Sequence, residues 1–451
     1  MEPSHVAVVE EDPEAPLHHR FRSNVGEHIL VIPFTRIYDV DAALARRFDA
    51  LDPDALALAA TLALPTASEP ELNRVVTPTP QSISLNVSAS CNLRCSYCYA
   101  SSGNFHGAQP APMNWDVART AVDALLARAD PHAPITIGFL GGEPLVNRPL
   151  IRRVVEYASS EAAMHALDVR YAITTNGTLL TADDIELFRS HRFAVTVSVD
   201  GGAAVQDRQR PLIGGKSRSS FEALRRTIGP LLADPGLARV AARATVLASD
   251  VVVSERFDAI LGLGFTEVGF SPARIASSSV ASFGAEEWDA YLSALTSIAR
   301  AEFARAMSGG SIRLTNFAVA LKQLHRGAAS PYPCGAGGGY FSVAADGAWY
   351  ACHRAIGQQG YRLGDSGGLS SARRIAFLTS RHVHAQEDCR RCWARYLCSG
   401  GCHQEASART PASCDFVRGW LDFCLAAYCE LIAQRPDFFG DLEPHLSEAT
   451  P

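Results

Sequence analysis

The feature that most constrains the fold of this chain is a serial alternation of strand-like and helix-like segments between residues 82 and 271. Short runs rich in β-branched and apolar residues are each followed by a longer segment with the apolar spacing of an amphipathic helix. The strand-like runs lie at residues 82–88, 135–140, 169–174, 194–199, 240–246 and 267–271. Helix-like stretches between them include residues 115–128, 149–163, 182–190 and 221–233, and further helices are predicted at 285–307, 316–326 and 417–432. Six β/α units in series predict a parallel sheet with right-handed crossovers, either an incomplete barrel or an open, doubly wound sheet.

A cysteine-rich loop follows the first of these strands. Residues 91–98 read Cys-Asn-Leu-Arg-Cys-Ser-Tyr-Cys, and the three cysteines are Cys91, Cys95 and Cys98. Three thiolates on one short loop can hold three irons of a [4Fe–4S] cube and leave the fourth iron without a protein ligand. A zinc loop is the alternative, although zinc ligands usually come in closely spaced pairs. Because reactive groups gather at the C-terminal ends of parallel strands, we expect this loop at the functional edge of the sheet.

Composition narrows the class of protein. The chain has 451 residues, enough for two or three domains, and a net charge of −6, which gives no indication of a nucleic-acid binder. No apolar run approaches the roughly 20 residues that span a bilayer, and the acidic N-terminus lacks the layout of a signal peptide. We therefore expect a cytoplasmic protein, with no membrane or nucleic-acid partner, whose twelve cysteines serve mainly as metal ligands rather than in disulfides.

Two further motifs end later strands of the pattern. Gly-Gly-Glu-Pro occupies residues 141–144 and Ser-Val-Asp-Gly occupies residues 198–201. Alone, the first is a turn and the second a plain strand end. With the three-cysteine loop on a six-unit β/α pattern, they resemble the radical S-adenosylmethionine superfamily. The resemblance implies that the open iron binds the methionine part of S-adenosylmethionine and passes one electron to its sulfonium, releasing a 5′-deoxyadenosyl radical.

The resemblance also implies roles for residues around the methionine part of this cofactor. Gly141 and Gly142 would let the backbone approach and bond the methionine ammonium. Glu143 would add a compensating negative charge, and Arg243, on the fifth strand, would pair with the methionine carboxylate.

The nucleoside part of the cofactor is expected to contact a second group of residues. Tyr97, between the second and third cysteines, would lie against the adenine, and Ser198 and Asp200 would bond the ribose hydroxyls. Asn176, in Thr-Thr-Asn-Gly, follows the third strand at the same edge and completes the predicted cofactor-binding residues.

A second group of cysteines lies in the C-terminal region and resembles the seven-cysteine SPASM extension of radical enzymes that modify peptides and proteins. The family pattern assigns an inner auxiliary cluster to Cys334, Cys352 and Cys402, and a fully ligated outer one to Cys389, Cys392, Cys398 and Cys414. Structural zinc is the alternative, but seven thiols do not divide into two cysteine-only zinc sites. No cysteine lies between Cys98 and Cys334, so we expect an open iron in the inner cluster unless another side chain or water fills it. Cys424 and Cys429 are expected to be core thiols.

The amino-acid sequence around these cysteines resembles that of maturases that form cysteine thioethers. These include the maturases of six-cysteine peptides and those of the small subunit of quinohemoprotein amine dehydrogenase. The resemblance covers about residues 81–415. It implies an oxidoreductase that crosslinks a ribosomally made precursor peptide or small protein, with a flavodoxin or ferredoxin-type reductant. A thioether from a substrate cysteine is favoured; carbon–carbon or carbon–oxygen crosslinking, other SPASM chemistry and a non-catalytic iron–sulfur electron carrier are the alternatives. His353 departs from the catalytic Asp of anaerobic sulfatase-maturating enzymes, which disfavours formylglycine formation.

The predicted fold is therefore α/β, a partial (β/α)6 barrel with a C-terminal Cys-rich SPASM domain. We expect the radical S-adenosylmethionine core at residues 81–285, a helical bridge at 286–333 and the SPASM domain with its C-terminal helix at 334–451. Residues 1–80 are predicted to form a small α+β segment with strands at 28–34 and 37–39. This segment resembles part of a peptide-recognition element, and a scaffold role is the alternative.

Overall fold

A computed structural model of the chain describes residues 5–66, 69, 71–109, 111–214, 218–237, 239–273 and 280–440. Its strands are β1 (His5–Val8), β2 (His18–Ser23), β3 (Gly26–Val31), β4 (Arg36–Val40), β5 (Arg74–Val76), β6 (Ser82–Ser88), β7 (Ile135–Gly141), β8 (Val169–Thr175), β9 (Phe193–Ser198), β10 (Arg239–Val246), β11 (Val268–Pro272), β12 (Tyr340–Val343), β13 (Trp349–Tyr350), β14 (Arg362–Asp365) and β15 (Gly368–Leu369).

The helices complete the framework. They are α1 (Ala42–Asp49), α2 (Pro53–Leu62), α3 (Trp115–Leu126), α4 (Arg148–His165), α5 (Ala182–Ser190), α6 (Ala203–Gln209), α7 (Ser220–Leu232), α8 (Ser254–Gly262), α9 (Ala285–Met307), α10 (Thr315–His325), α11 (Ser371–Arg381), α12 (Glu387–Arg390), α13 (Arg395–Cys398) and α14 (Pro411–Gln434). Among the helices of the described ranges, none combines the length and the apolar composition that crossing a bilayer requires.

The central sheet contains ten strands, and its parallel part follows the order of the chain. Strands β6, β7, β8, β9, β10 and β11 lie side by side in that sequence, each parallel to the next. Since every crossover steps one strand in the same direction, right-handed connections place the helices on one face of the sheet. The two topologies left open by the sequence are thereby separated: the sheet is an incomplete barrel, as predicted, and not a doubly wound sheet.

The two faces of the parallel strands differ in chemistry. On the face covered by the helices, alternate side chains such as Ile137 and Phe139 are fully buried in the main hydrophobic core. The opposite face carries small and polar residues, including Ser84, Gly138, Ala172 and Thr196. Because side chains alternate along a strand, the apolar set builds the core and leaves a polar, open face for ligands.

The Cys-rich region is built onto the same sheet. Strand β12 pairs in parallel with β6, with Tyr340 opposite Ser82, and β13, β14 and β15 continue the sheet in antiparallel order. Helix α14 packs against α9, where the ring of Phe416 lies 5.0 Å from those of Trp288 and Tyr291. The predicted boundary at residue 334 therefore precedes a strand of the central sheet; the predicted domain limits themselves stay predictions.

The N-terminal segment contains more strand than the sequence predicted. Strand β2 was not expected, because its sequence His-His-Arg-Phe-Arg-Ser is largely polar; it pairs with β3 in a three-stranded antiparallel sheet β2-β3-β4. The strand predicted at 28–34 ends earlier, at Val31. Pro33 has no backbone N–H, and Phe34 adopts a left-handed conformation with φ 68°, so the chain turns there instead of continuing the ladder.

Elsewhere the predicted element bounds agree with the structure within two residues for all six parallel strands and for α3, α4, α5, α7, α9 and α10. Helix α14 is the exception, since it was predicted at 417–432 and begins at Pro411. Thr410 caps this helix through its side chain, which accepts from the amide of Ser413, and Pro411 occupies the first turn. The early start places Cys414 in the first turn of a helix.

Candidate active site

A loop of three cysteines follows β6 at the C-terminal end of the parallel strands; we call residues 91–98 the cluster loop. Its backbone is held by a distant segment. The amide of Arg94 donates to the carbonyl of Pro211 at 2.8 Å, and the amide of Ser96 donates to the carbonyl of Gln209 at 3.0 Å. The conformation of the loop therefore depends on the end of helix α6 as well as on its own turns.

Backbone and side-chain N–H groups surround the thiols of the cluster loop. The amide of Leu93 donates to Cys91 Sγ at 3.4 Å, and the amide of Ser102 donates to Cys98 Sγ at 3.3 Å. The side-chain amide of Asn176 adds a longer contact of 3.8 Å to Cys91 Sγ. N–H groups directed at cysteine sulfur stabilise metal-bound thiolates, so these residues fit an iron–sulfur cluster.

Two thiols of the cluster loop, those of Cys91 and Cys95, have raised pKa values. Burial raises the pKa of Cys91 to about 12 and that of Cys95 to about 11, and the carboxylate of Glu143 contributes to the rise at Cys91. Both thiols also interact electrostatically with Cys98. Thiols with raised pKa values become thiolates more readily when a cation compensates their charge, as iron would.

Glu143 is fully buried, and its carboxylate accepts hydrogen bonds from the turn after β7 and from the end of β8. Thr175 donates to its Oε1 at 2.6 Å, the amide of Asn176 donates to its Oε2 at 2.7 Å, and the amide of Leu145 donates at 3.1 Å. Burial raises the pKa of this carboxyl. In the structure Glu143 thus joins the turn after β7 to the end of β8, and its predicted contribution to cofactor binding stays a prediction.

The two glycines before Glu143 lie against the backbone of the cluster loop and its flanks. Gly141 has φ 144°, in the region that favours glycine, and a Cβ on Gly142 would overlap the carbonyl oxygens of both Ser90 and Ser102. The amide of Gly142 donates to the carbonyl of Ser88 at 3.0 Å. Close approach of two backbones is therefore the reason the structure shows for these glycines.

Asp200 is the centre of a buried charged network. Tyr97 donates to Asp200 Oδ2 at 2.5 Å, and the amide of Thr245 donates to Oδ1 at 2.8 Å. Arg210 Nε lies 3.1 Å from Oδ2, and the guanidinium stands 5.4 Å from the centroid of the Tyr97 ring. Arg210 Nη1 also reaches Cys95 Sγ at 3.8 Å, so the network connects the end of β9 to the cluster loop. The predicted contact of Asp200 with ribose stays a prediction, and the structure adds Arg210 to the site.

Replacing Asp200 by asparagine should destabilise the protein strongly. The variant leaves the buried guanidinium of Arg210 without its carboxylate, and breaking a buried pair in this way costs about 3 kcal/mol or more. As a control, Glu222→Gln removes an exposed partner of Arg225, which we expect to change the urea midpoint much less, because water and salt screen an exposed pair. Urea denaturation of both variants measures the difference, and equal midpoints would contradict a buried, interacting pair.

The other predicted cofactor residues lie at the same end of the sheet. Asn176 is 5% exposed, and its side-chain amide donates to Asn92 Oδ1 in the cluster loop at 2.8 Å. Ser198 and Arg243 are paired neighbours on β9 and β10. Burial lowers the pKa of Arg243, whose guanidinium also interacts electrostatically with Tyr291 and Glu267. The predicted pairing of Arg243 with a carboxylate of the cofactor stays a prediction.

The remaining cysteines form two further groups. The inner set consists of Cys334, Cys352 and Cys402, whose thiols interact electrostatically with one another. The outer set lines one small cavity and consists of Cys389, Cys392, Cys398 and Cys414. All twelve cysteines are free thiols, and within the described ranges no three His, Cys, Asp or Glu side chains gather closely enough to hold a single metal ion. The assignment of the two sets as cluster ligands stays a prediction; Cys424 and Cys429 are buried, as predicted.

Tyr99 interacts with both the cluster loop and the inner set, and it was not among the residues predicted from the sequence. Its phenol interacts electrostatically with both Cys98 and Cys352. The guanidinium of Arg354 lies 5.4 Å from its ring centroid, and the ring of His353 lies 5.9 Å away. Tyr99 is nevertheless 39% exposed, so it forms a wall that a ligand can reach. Its position directly after Cys98, the third cysteine of the cluster loop, is the sequence feature that could have identified Tyr99 as a site residue.

His353 is held by the polar face of the sheet. The hydroxyl of Tyr340 lies 2.8 Å from His353 Nδ1 and 2.8 Å from the hydroxyl of Ser84. Burial, with a smaller contribution from the neighbouring Arg354, lowers the pKa of His353 to about 4, so the ring is neutral near pH 7. A neutral imidazole bonded to a phenol therefore follows Cys352 in the chain.

Comparisons with known proteins agree with this geometry. Residues 85–228 match the Radical SAM superfamily. The chain is 24% identical over 364 residues, 76% of this chain and 84% of the relative, to a serine-type anaerobic sulfatase-maturating enzyme of Klebsiella aerogenes. Several other curated relatives match over less than half of their own length.

Two solved structures share the fold. The structure of native anSMEcpe with bound AdoMet superposes with a TM-score of 0.65 at 17% identity, covering 78% of this chain and 100% of that chain. SuiB from Streptococcus suis, bound to the precursor peptide SuiA, superposes with a TM-score of 0.51 at 11% identity, covering 90% of this chain and 98% of that chain. At these identities the likeness concerns the fold.

Proposed function

We propose that this radical SAM enzyme installs an intrapeptide crosslink in a ribosomally made peptide or small protein, with a thioether from a substrate cysteine as the favoured product. The observation that carries the proposal is the position of Tyr99, which interacts with a cluster-loop thiol on one side and an inner-set thiol on the other. A peptide bound at this exposed wall would contact both metal sites at once.

The inner set supports a role for substrate sulfur. Three cysteines leave one iron of a four-iron cluster without a cysteine ligand, and the sequence has no cysteine between Cys98 and Cys334 that would supply it. A substrate thiol at that iron would stay deprotonated, because the metal charge favours the thiolate. We therefore favour thioether formation over carbon–carbon or carbon–oxygen crosslinking.

The residues of the chain have defined tasks in this proposal. A [4Fe–4S] cluster on the cluster loop, with S-adenosylmethionine bound, supplies the carbon radical that abstracts hydrogen from the substrate. Arg243 binds the carboxylate of S-adenosylmethionine, while Asn176 and Arg210 direct N–H groups at thiols of the cluster loop. Tyr97, fixed by its bond to Asp200, offers its ring to the adenine. A flavodoxin or ferredoxin-type protein is the proposed electron donor.

A peptide as the substrate is supported by the proteins of similar fold. One neighbouring structure contains AdoMet and a Cp18Cys peptide, and another is SuiB bound to the precursor peptide SuiA. Several curated relatives are sulfatase-maturating enzymes, which makes formylglycine formation the second candidate. The neutral His353, in place of a carboxylate, argues against that candidate.

The N-terminal sheet offers a place for the substrate's leader. In the order β2-β3-β4, strand β2 faces helix α14, where His19 Nε2 lies 2.6 Å from Asp422 Oδ1. The ring of His19 also stacks on Trp393, which precedes α13, at 3.7 Å. Within the described residues β4 has no second strand partner, so an extended peptide would add to this edge through backbone hydrogen bonds. We propose β4 (Arg36–Val40) as the leader-binding strand.

Tandem mass spectrometry of a treated peptide tests the function. The reconstituted enzyme is incubated anaerobically with dithionite, S-adenosylmethionine and the short peptides encoded beside its gene. We expect the loss of two hydrogens, located at a cysteine and a second residue, with the cysteine no longer open to alkylation. An aldehyde at the modified residue would instead establish formylglycine formation, and a link between two non-cysteine residues would contradict the thioether.

Cys389→Ala separates cleavage of S-adenosylmethionine from crosslinking in the same assay. Because Cys389 belongs to the outer set, we expect 5′-deoxyadenosine formation to decrease much less than the crosslinked product, which should decrease at least tenfold. If both products decrease in the same proportion, the outer set does not serve the crosslinking step separately.

A further inference from the structure

Each cysteine set has an arginine directed at one of its thiols, but the charges of these arginines are balanced differently. Arg210 reaches a cluster-loop thiol at 3.8 Å and is paired with the buried carboxylate of Asp200 at 3.1 Å. Arg354 reaches an inner-set thiol at 4.0 Å and is paired with the buried Glu405 at 2.6 Å. In both places a carboxylate offsets the positive charge next to the sulfur.

The outer set has a closer arginine without such a carboxylate. Arg409 Nη1 donates to Cys389 Sγ at 3.0 Å, the shortest of these nitrogen–sulfur contacts. Its Nη2 donates to the carbonyl of Gly400 at 2.5 Å and to Gln386 Oε1 at 2.7 Å. These partners are neutral, and Arg409 forms no ion pair with any residue in the described part of the chain. The guanidinium is thus fixed in place while keeping its full charge.

Other charged residues lie near the outer set, but they do not give Arg409 a carboxylate partner like those of Arg210 and Arg354. Arg418 lies 4.0 Å from Cys392 Sγ and is paired with Asp415 at 2.5 Å. Asp388, which precedes Cys389 in the chain, and Glu405, which is paired with Arg354, line the same cavity; Asp388 interacts electrostatically with Cys414, and neither carboxylate forms an ion pair with Arg409 among the described residues. Arg409 is therefore the one charged donor within hydrogen-bond distance of an outer-set sulfur that lacks an acidic partner among the described residues.

We propose that Arg409 is a positioning residue that raises the electron affinity of the outer cluster. The inference rests on the proposed presence of that cluster. When the cluster accepts one electron from a reductant, no bond forms or breaks and the added negative charge spreads onto its sulfurs. A fixed N–H donor with a full positive charge stabilises the reduced form more than the oxidised form. The outer cluster is thereby made the place where an incoming electron is held.

Redox titration of the full-length, reconstituted protein tests this role. Electron paramagnetic resonance follows each cluster as dithionite and mediators set the potential, and Arg409→Gln is compared with the unaltered chain. We expect the equilibrium constant for reduction of one cluster signal to fall about tenfold, a shift of 59 mV to more negative potential for a one-electron couple. Arg409→Lys should shift it less, because the charge remains.

A control variant and the measured iron content distinguish the possible outcomes of this titration. Arg225→Gln, which changes the net charge equally but lies on an exposed face of α7, should leave every potential unchanged. If the unaltered chain holds no outer cluster, the cofactor proposal fails and not the tuning alone. An unchanged potential in Arg409→Gln with full iron content overturns the inference. Loss of one cluster's iron from both Arg409 variants also overturns it, because Arg409 is then needed for assembly.

Discussion

Cys91→Ala is expected to reduce the anaerobic formation of 5′-deoxyadenosine to the level measured without enzyme. Cys91 is one of three thiols on the cluster loop, and the remaining two would leave a second iron without a protein ligand. The thiol also receives N–H groups from Leu93 and Asn176, which would then face an empty position. Liquid chromatography of the quenched reaction measures the product, and iron content measures the lost cluster.

Cys424→Ala is the matched control for this result. Cys424 is fully buried in helix α14 and belongs to none of the three cysteine sets. We expect this variant to lose about 1 kcal/mol of stability through a small cavity and to keep its iron and its cleavage activity. Retention of 5′-deoxyadenosine formation by Cys91→Ala, or its loss in both variants, would contradict the assignment of the cluster loop.

Gly142→Ala is expected to disrupt the same site without changing a ligand or a charge. The added Cβ would overlap two carbonyl oxygens, those of Ser90 and Ser102, and neither is the end of a flexible side chain. The carbonyl of Ser90 also accepts from the amide of Glu143 at 2.9 Å, so it cannot move away alone. We expect a loss of about 3 kcal/mol in stability and a cluster loop that no longer assembles its iron, measured by denaturation and by iron content.

Gly262→Ala tests whether this effect is specific to the site. Gly262 is the last residue of α8, and a Cβ there would meet no atom within 4 Å. Alanine is the better helix former, so this variant should be as stable as the unaltered chain or slightly more stable, with its iron retained. Similar stability losses in both glycine variants would indicate that the crowding around Gly142 is not the cause.

Much of the fold could be predicted from the sequence because the patterns that indicate strands and helices are local. The alternation of strand and helix depends on hydrophobic spacing within a few residues, and the predicted limits of α5 and α9 equal the observed ones. The predictions were wrong where contacts between different elements determine the local structure. The polar strand β2 pairs with β3 and faces α14, and Cys414 became helical because a cap at Thr410 starts the helix earlier.

The sequence by itself determined the cysteine loop after the first strand, the glycine turn beside it and the seven-cysteine pattern, because each is a spacing along the chain. Only the tertiary structure decided how charge is distributed around these cysteines. Arg210 meets Cys95 from 115 positions away and Arg409 meets Cys389 from 20, and no local pattern reports such contacts. Whether Asp200 or a neutral carbonyl stands behind an arginine depends on how the elements pack. The candidate ligands could thus be predicted from the sequence, whereas the charges around them required the fold.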